Sequence, residues 1–359
     1  DSLPLAVGRS AVVHQEGMTS TPPRRQARLT RATDPRAMRP LAMVEQAESI
    51  LVLLDRHLWL THDQIESSLF TSGTTRTGKP RSPRGAAYAA NTALRRLYDG
   101  GWVERVPVFL PGIRPETVKP HFVNVLTAQG AAIARAALTE QERASRWRRA
   151  LLPRPWQPLL HDFWIREVAI CLHAGAAEGG LRFRSWFDDR QLAGLKKEHG
   201  ASFQTIPDGF FLIEQAQTGK EFPHFLEIDL GTQTTEARSA KRPDFRGKVE
   251  SYLTYFERDF RAQFGVATLP IVLTLTSGPK RLANLLAATG AAGGAGRFWF
   301  ATLAEFQTAG TPLRAREAAS AGPHGLLNAA IWRTPAEDQP RSLAARYNPL
   351  SASPGASGV

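Results

Sequence analysis

Two short apolar segments that carry acids in their interior constrain this chain more than any other feature. Residues 206–213 and 225–230 are rich in Phe, Ile and Leu and are bounded by turn residues, which is typical of buried β-strands. Asp208 interrupts the first segment, and Glu227 and Asp229 interrupt the second. Because side chains two apart on a strand share a face, Glu227 and Asp229 point the same way, and a neighbouring strand would bring Asp208 beside them. Such a cluster is costly without positive charge, and a divalent cation held by carboxylate oxygens is the usual solution.

Composition bounds the class of protein. A chain of 359 residues has room for two domains, and 42% hydrophobic residues are enough for ordinary cores. The net charge of +12 indicates a polyanionic partner, with nucleic acid first and an acidic membrane second. The single cysteine, Cys171, excludes an intramolecular disulfide and a multi-cysteine zinc site, which fits a reducing cytoplasm. No apolar run approaches the ~20 residues of a membrane span, and no secretion signal is visible, so we expect a cytoplasmic protein without a membrane partner.

Proline-rich and basic stretches along the chain predict two domains and three irregular segments. We expect a basic disordered arm at 1–40, a Pro-rich linker at 138–160 and a largely disordered tail at 311–359. Between them lie a small helical domain at 41–137 and a second domain at 161–310.

The first domain has the element order of a winged helix. Three helices, two strands and a last helix are predicted at about 43–56, 61–70, 86–99, 102–108, 121–126 and 127–137. Thr61 with Gln64 three residues later is a capping-box pattern at the start of the second helix. The segment 93–105 resembles the end of a recognition helix and the start of a wing. The fold class expected here is therefore a winged helix-turn-helix domain.

Cations gather around the predicted recognition helix, which in this fold enters the major groove of duplex DNA. Leu94 and Leu97 are expected to face the core, which turns the polar side chains of the same helix outward. The expected DNA-binding residues of this domain are Arg76, Lys79, Arg81, Arg84, Asn91, Arg95, Arg96 and Arg105. The alternative reading is a small helical domain that docks on protein.

The second domain alternates helices and strands, which predicts an α/β sandwich with a mixed sheet. Helices are predicted at 161–173, 244–260 and 280–288, strands at 181–187, 206–213, 225–230, 270–276 and 298–303, and a loop at 196–200. Glu167 is the odd residue of the first helix, because its neighbours three and four positions away are apolar. It either pairs with a cation such as Arg166 or Arg182 or reaches a metal.

These residues carry a resemblance to known proteins. A helix acid at Glu167, then Pro207-Asp208, then Glu227-Ile-Asp229, is similar to the PD-(D/E)xK nuclease superfamily. More narrowly, residues 43–290 resemble the bacterial replication-relaxation family. The matching cues are His161, the segments 207–210 and 225–232, and the pattern Lys248-x-x-x-Tyr252-x-x-Tyr255. Members of that family pair a winged helix with a restriction-endonuclease-like α/β/α domain and are found on plasmids and mobile elements.

The resemblance implies a Mg²⁺ or Mn²⁺ site for phosphodiester hydrolysis. Asp208, Glu227 and the carbonyl of Ile228 are the implied ligands, and Glu167 would complete the shell directly or through water. Asp229 stands where the motif normally has a lysine, which departs from the family pattern of an active enzyme.

A lysine from elsewhere in the chain can replace the missing one. Lys248 is the best candidate, because it lies on the helix after the acid-bearing strand, one turn before Tyr252. Arg238 and Lys241 are alternatives or phosphate clamps. Lys248 can also be a solvated helix residue, and the acids can be the remnant of a site in a domain that now only binds.

Three functions stay open on the sequence. The first is a DNA-binding protein of a plasmid or mobile element, acting in replication, relaxation or mobilisation, with a metal-dependent endonuclease domain that cuts or nicks duplex DNA. The second is a catalytically inactive origin-binding accessory factor that recruits replication or mobilisation proteins, with a homodimer as a further candidate partner. The third is a transcriptional regulator with an α/β ligand domain. All three place the protein in the bacterial cytoplasm, on the nucleoid or a plasmid.

Overall fold

A computed structural model describes the protein over residues 44, 46–70, 81–108, 121–138, 156–178, 181–199, 206–231, 244–309 and 325–347. These residues form a mixed α/β structure with a three-stranded and a seven-stranded sheet. No helix in these ranges is both long enough and apolar enough to cross a membrane.

The N-terminal unit has the predicted element order with one strand added. Its elements are α1 (Ala47–His57), β1 (Trp59–Thr61), α2 (His62–Leu69), α3 (Pro83–Asp99), β2 (Val103–Val108), β3 (His121–Leu126) and α4 (Ala128–Ala137). The antiparallel sheet has the order β1-β3-β2, as in a winged helix. We did not predict β1, because three residues are too short to show a period.

The capping residues and the apolar period in the sequence predicted the helices of this unit. Thr61 caps α2, and its side chain and that of Gln64 form the predicted capping box. Leu94 and Leu97 of α3 are fully buried, as expected, in a core built from α1 to α4 and β3. The amphipathic period of α3 therefore decides which of its side chains remain for solvent or a ligand.

The second unit is built on a seven-stranded mixed sheet. Its first elements are α5 (Trp156–Glu178), β4 (Leu181–Asp188), α6 (Asp189–His199), β5 (Gly209–Gln215), β6 (Glu221–Asp229), α7 (Phe245–Arg258) and α8 (Phe260–Phe264). They are followed by β7 (Ile271–Thr276), α9 (Pro279–Ala291), β8 (Phe298–Thr302), α10 (Leu303–Thr308), α11 (Gly325–Asn328), β9 (Trp332–Thr334), β10 (Glu337–Arg341) and α12 (Ala344–Tyr347). The strand order is β10-β9-β8-β7-β6-β5-β4, with β6, β7 and β8 parallel and the other pairs antiparallel.

Alternation along β6 separates the two faces of this sheet. Leu226 and Ile228 pack with α5 in one core, whereas Phe225 packs with α7 and α9 in the other. Because side chains alternate along a strand, Glu227 and Asp229 face the α7 and α9 side. The result is the predicted sheet covered by helices on both faces.

Two segments of the second unit differ from the predictions. The helix α5 begins at Trp156, inside the predicted linker, with Pro158 in its first turn, where a missing N–H costs no hydrogen bond. The predicted loop at 196–200 lies largely within α6, which ends at His199. Lys, Glu and Leu are good helix formers, so polarity there was not evidence for a loop.

The prediction of a largely disordered tail at 311–359 is wrong over residues 325–347. This segment adds β9 and β10 to the sheet and buries Trp332, Leu343 and Tyr347 almost completely. The abundance of Pro, Ala and Ser hid these three apolar anchors, which gain enough from burial to order the segment. Residues 310–324 and 348–359 lie outside the described ranges.

The two units pack directly on each other through α5. Trp59, Val123 and Val125 of the small sheet belong to the same core as α5 and the large sheet. The buried guanidinium of Arg166 lies 4.4 Å from the ring centroid of Trp59 and donates to the backbone carbonyl of His57 at 2.7 Å. A single helix thus contacts both the winged-helix unit and the sheet that carries the acids.

Candidate active site

The pairing of β5 with β6 brings Asp208 to Glu227, as the sequence predicted. Gly209 pairs with Leu226, and the backbone N–H of Asp208 donates to the carbonyl of Leu226 at 3.1 Å. One further step of this antiparallel register places Asp208 opposite Glu227 on the same face. Oδ2 of Asp208 accepts the backbone N–H of Ile228 at 2.7 Å, which fixes the Asp208 carboxylate at the end of the ladder.

His161 of α5 reaches the same point from the opposite side of the sheet. Its Nε2 lies 3.1 Å from Oδ2 of Asp208 and 3.1 Å from the backbone carbonyl oxygen of Ile228. Burial lowers the pKa of His161, but the hydrogen bond and the charge of Asp208 outweigh it, so the pKa lies above its usual value. The imidazole is thus held by the two groups that the sequence marked as metal ligands.

Glu227 is buried and is held by two side chains of α7. The ammonium Nζ of Lys248 lies 2.5 Å from Oε2 of Glu227, and the hydroxyl of Tyr252 donates to Oε1. Burial raises the pKa of the Glu227 carboxyl to about 7, with the charge of Asp208 acting in the same direction and the Lys248 ammonium opposing it. Both side chains therefore lie on the face of α7 that meets β6, as their spacing of four residues predicted.

Lys248 is not a solvated helix residue. Its side chain is 13% exposed and is ion-paired with Glu227. Burial lowers the pKa of Lys248, but the negative charges of Glu227 and Asp208 raise it by more. The pKa of Lys248 therefore lies above its usual value. The ammonium is a fixed positive charge beside both acids.

Asp229, at the position of the motif lysine, is engaged by a different helix. Its Oδ2 accepts from Nε of Arg281 on α9 at 2.7 Å, and its Oδ1 accepts the backbone N–H of Gly231 at 3.0 Å. Asp229 shares the face of Glu227, but its charge is paired with Arg281. A salt bridge to Arg281 therefore occupies the position where the motif that the sequence resembles has a lysine.

Glu167 faces the winged-helix unit, and its hydrogen bond is with α2. Oε2 of Glu167 accepts from the side-chain amide of Gln64 at 2.8 Å, and the Glu167 residue is fully buried. Glu167 lies six positions after His161 on α5. The two residues are therefore about 9 Å apart along the helix axis and differ by about one and two thirds turns, so their side chains point in different directions. The structure therefore puts His161, and not Glu167, beside the acids. The predicted pairing of Glu167 with Arg166 or Arg182 is replaced by the amide of Gln64.

The Gln64 side chain serves α2 and Glu167 at once. Its Oε1 accepts the backbone N–H of Thr61 at 3.0 Å while its amide donates to Glu167. We expect Gln64→Leu to lower the free energy of unfolding by roughly 2 kcal/mol, because it removes half of a capping box and a hydrogen bond to a buried carboxylate. Urea denaturation followed by circular dichroism measures the change. Ser68→Ala on the same helix is the control and should stay within about 0.5 kcal/mol of the wild type; equal effects would contradict the role of Gln64.

The donor atoms at the acid cluster fit a divalent cation. Oδ2 of Asp208 and the carbonyl oxygen of Ile228 converge on the position of Nε2 of His161, and both are hard oxygen donors of the kind that Mg²⁺ and Mn²⁺ take. The oxygens of Glu227 are held by Lys248 and Tyr252 and do not converge on that position. Elsewhere in the described part of the chain, ligand atoms of His62, Asp63 and Glu66 lie within 4.8 Å of one another on the first turns of α2.

The predicted DNA-binding residues occupy α3, β2 and segments outside the described ranges. Arg84 and Asn91 are exposed, and Arg95 and Arg96 are partly exposed on the same helix. Arg81 precedes α3 with its guanidinium 5.8 Å from the ring centroid of Phe70, and burial lowers the pKa of Arg105 on β2. Residues outside the described ranges are Arg76, Lys79, Arg238 and Lys241.

Sequence reasoning missed three side chains at these surfaces. His161 was a family cue but was given no role, because no spacing links it to Asp208. Arg281 was missed for the same reason, since 52 residues separate it from Asp229. Tyr88 of α3 is 75% exposed between Arg84 and Asn91, and its position seven residues after Arg81 and four after Arg84 would have revealed it as part of the outward stripe.

Comparison with known proteins identifies one family. The family model described as replication-relaxation matches residues 51–268, which is more than half of the chain. Comparisons with curated proteins and with solved structures gave no match. The matched range covers most of the winged-helix unit and every residue of the acid cluster.

Proposed function

Because this chain belongs to the replication-relaxation family, we propose that it acts on DNA in replication or relaxation, by binding duplex DNA and cutting or nicking it with Mg²⁺ or Mn²⁺. One observation carries the hydrolytic part of the proposal. The ammonium of Lys248 contacts Glu227, opposite Asp208, and so supplies from α7 the lysine that Asp229 replaces in the motif.

Each residue of the cluster has a task in this chemistry. Asp208, Glu227 and the carbonyl of Ile228 would hold the cation, which would activate a water and neutralise charge on the phosphate. The ammonium of Lys248 would place a positive charge where a phosphate oxygen approaches the acids. Tyr252 holds the carboxylate of Glu227 in place through its hydroxyl.

Arg281 neutralises the remaining acid, Asp229, on the same face of the sheet. Its guanidinium pairs with Asp229, which reduces the negative charge that an incoming phosphodiester meets. An unpaired Asp229 would repel the DNA backbone, so the salt bridge makes the departure from the family motif compatible with a nucleic-acid substrate.

The exposed stripe of α3 supports DNA binding by the first unit. Arg84, Tyr88 and Asn91 follow one another at spacings of four and three residues and are all exposed, with Arg95 four residues further on the same side. The ring of Tyr88 and the amide of Asn91 are side chains that contact thymine methyl groups and base edges in a major groove, and Arg84 supplies a cation for the phosphate backbone. The stripe therefore gives α3 the chemistry of a recognition helix.

Incubation with supercoiled plasmid tests the hydrolytic function. Wild-type protein is mixed with plasmid in Mg²⁺, in Mn²⁺ and in EDTA, and the products are separated as supercoiled, nicked and linear forms. We expect nicked or linear DNA with either cation and unchanged plasmid in EDTA. Cleavage that persists in EDTA would contradict the proposal, and so would plasmid that stays supercoiled in both Mg²⁺ and Mn²⁺.

Replacing Arg84 tests the DNA-binding surface. We expect Arg84→Ala to weaken duplex binding and to lower the slope of log K against log salt by about one, because one phosphate contact is lost. Fluorescence anisotropy between 50 and 300 mM salt measures both quantities. Arg184→Ala on β4 removes the same charge from an exposed arginine of the second unit and is the matched control. An equal slope change in the control would show that binding follows net charge and not α3.

A second candidate function rests on the fact that the acids are already paired with other side chains of the protein. Both oxygens of Glu227 are hydrogen-bonded within the protein, and Asp229 is salt-bridged where a lysine is expected. A protein with this arrangement can bind an origin and recruit replication or mobilisation proteins, or a second copy of itself, without cutting. Specific DNA binding without cleavage in the plasmid assay would favour this function.

A further inference from the structure

We propose that His161 is a ligand of the cation and that its imidazole makes the site prefer Mn²⁺ to Mg²⁺. This inference rests on the proposed function, because it assigns a further ligand to the same cation. The observation behind it is the position of Nε2 of His161, at 3.1 Å from both Oδ2 of Asp208 and the carbonyl oxygen of Ile228.

The two distances match the spacing of neighbouring ligands around one ion. Ligand atoms at about 2.1 Å from an octahedral cation lie about 3 Å from one another when they are adjacent. Nε2 of His161 has this separation from each of the two oxygens. Nε2 of His161 is therefore spaced from each of the two oxygens as neighbouring ligands around one ion are spaced.

The proton on Nε2 marks where the lone pair would point. Oδ2 of Asp208 and the carbonyl of Ile228 are acceptors, so Nε2 donates to them and carries a proton. To bind a cation through Nε2, the imidazole would carry its single proton on Nδ1. A doubly protonated ring would release its Nε2 proton to solvent, and a neutral ring would lose the Nε2 proton and gain one on Nδ1, so the ring is neutral in either case.

The helix that carries His161 is held rigidly, which favours a fixed ligand over a mobile side chain. Two residues further along α5, Phe163 is fully buried. Arg166, on the same helix, is clamped by the carbonyls of His57 and Asp162 at 2.7 and 2.6 Å. The side chain of His161 is 29% exposed. Its imidazole is therefore held in position by the helix and is still accessible to an ion from solvent.

The choice of metal follows from the chemistry of the donors. Mg²⁺ is a hard cation that takes oxygen ligands in a near-ideal octahedron, whereas Mn²⁺ is a first-row transition cation and tolerates a nitrogen donor among its oxygen ligands better than Mg²⁺ does. A site that joins the imidazole of His161 to the Asp208 carboxylate and the Ile228 carbonyl therefore favours Mn²⁺ over Mg²⁺. Removing the imidazole leaves an all-oxygen site on which the difference between the two ions shrinks.

Cation affinity, measured without any substrate, tests the inference. Isothermal titration calorimetry with Mn²⁺ and with Mg²⁺ is carried out on wild type, His161→Ala, His161→Asn and Asp208→Ala, and circular dichroism verifies that each variant is folded. The matched control is His173→Ala, an exposed histidine on the same helix. Pulsed EPR on bound Mn²⁺ adds a direct readout, because a coordinated imidazole modulates the electron spin echo through its nitrogen.

We expect roughly 10- to 100-fold weaker Mn²⁺ binding in both His161 variants, a smaller change for Mg²⁺, and nitrogen modulation in wild type and His173→Ala only. Mn²⁺ binding that depends on Asp208 but is unchanged or tighter in His161→Ala would overturn the ligand role alone. In that case the imidazole competes with the ion. If wild type shows no binding that Asp208→Ala removes, the cation site of the proposed function fails together with the role of His161.

Discussion

Asp208→Ala is expected to lower metal-dependent plasmid nicking at least ~10³-fold while duplex binding stays within about twofold of wild type. Asp208 offers the one carboxylate at the site whose Oδ2 converges with the Ile228 carbonyl on a shared point, so its loss removes both a ligand and the negative charge that holds the cation. A bound cation stabilises the transition state by several kcal/mol, and about 1.4 kcal/mol corresponds to a factor of ten in rate. The winged-helix unit is untouched by the change.

The control for Asp208 is Glu214, an acid near the other end of β5, the strand that Asp208 directly precedes. Glu214 pairs with Arg182 and Arg184. Glu214→Gln removes a similar charge but should leave nicking unchanged. Rates are compared by densitometry of supercoiled and nicked plasmid under single-turnover conditions. Equal activity of Asp208→Ala and wild type would remove the site from the acid cluster, and equal losses in both variants would indicate a general charge effect.

Glu227→Gln is expected to stabilise the protein at alkaline pH by up to about 3 kcal/mol and to leave it unchanged near pH 4. Burial raises the pKa of Glu227 from 4.5 to about 7 in the folded state. A carboxyl whose folded pKa is raised stabilises the fold below its unfolded pKa, and this stability is lost as the pH rises through the folded value. The loss therefore develops between pH 4.5 and about 7, at roughly 1.4 kcal/mol per pH unit. Glutamine keeps the shape but cannot ionise, so it escapes that cost.

The measurement is urea denaturation of wild type and variant in EDTA at intervals from pH 4 to pH 8.5. Glu250→Gln, on the exposed side of α7, is the matched control and should show a difference below about 0.5 kcal/mol at every pH. The decisive quantity is the pH dependence of the difference between wild type and Glu227→Gln. A variant less stable than wild type at pH 8 would mean that the ion pair with Lys248 outweighs the burial of the carboxylate.

The same substitution separates stability from function. If Glu227 serves the cation, Glu227→Gln loses nicking while it gains stability at pH 8. Such opposition is common where a site keeps a buried charge for its chemistry. A protein that binds DNA without cutting has no such use for the charge, and its DNA binding would be unaffected by the stabilising change.

Short-range periodicity made several parts of the site predictable. The period of two along a strand placed Glu227 and Asp229 on one face and predicted Asp208 beside them. The spacing of four on a helix placed Lys248 and Tyr252 on one side of α7. In each case the relation lies within one element or between strands that are adjacent in the chain, where backbone geometry leaves few alternatives.

Contacts between distant segments were not predictable in this way. His161 meets Ile228 across 67 residues, Glu167 meets Gln64 across 103, and Asp229 meets Arg281 across 52. No period links such pairs, because their distance depends on how whole helices pack on the sheet. The assignment of Glu167 to the metal shell came from the family resemblance, and the structure instead turns its carboxylate to the side-chain amide of Gln64 on α2.

The sequence by itself determined the helices and hairpin of the winged-helix unit, the mixed α/β class of the second unit and the pair of acids, because hydrophobic period, caps and turn residues act locally. Only the tertiary structure decided which face of α5 meets the acids, which cation neutralises Asp229, and that residues 325–347 complete the sheet. These outcomes depend on the summed burial of side chains such as Trp332 and Phe163 from separate segments, and that sum is defined only once the chain has folded.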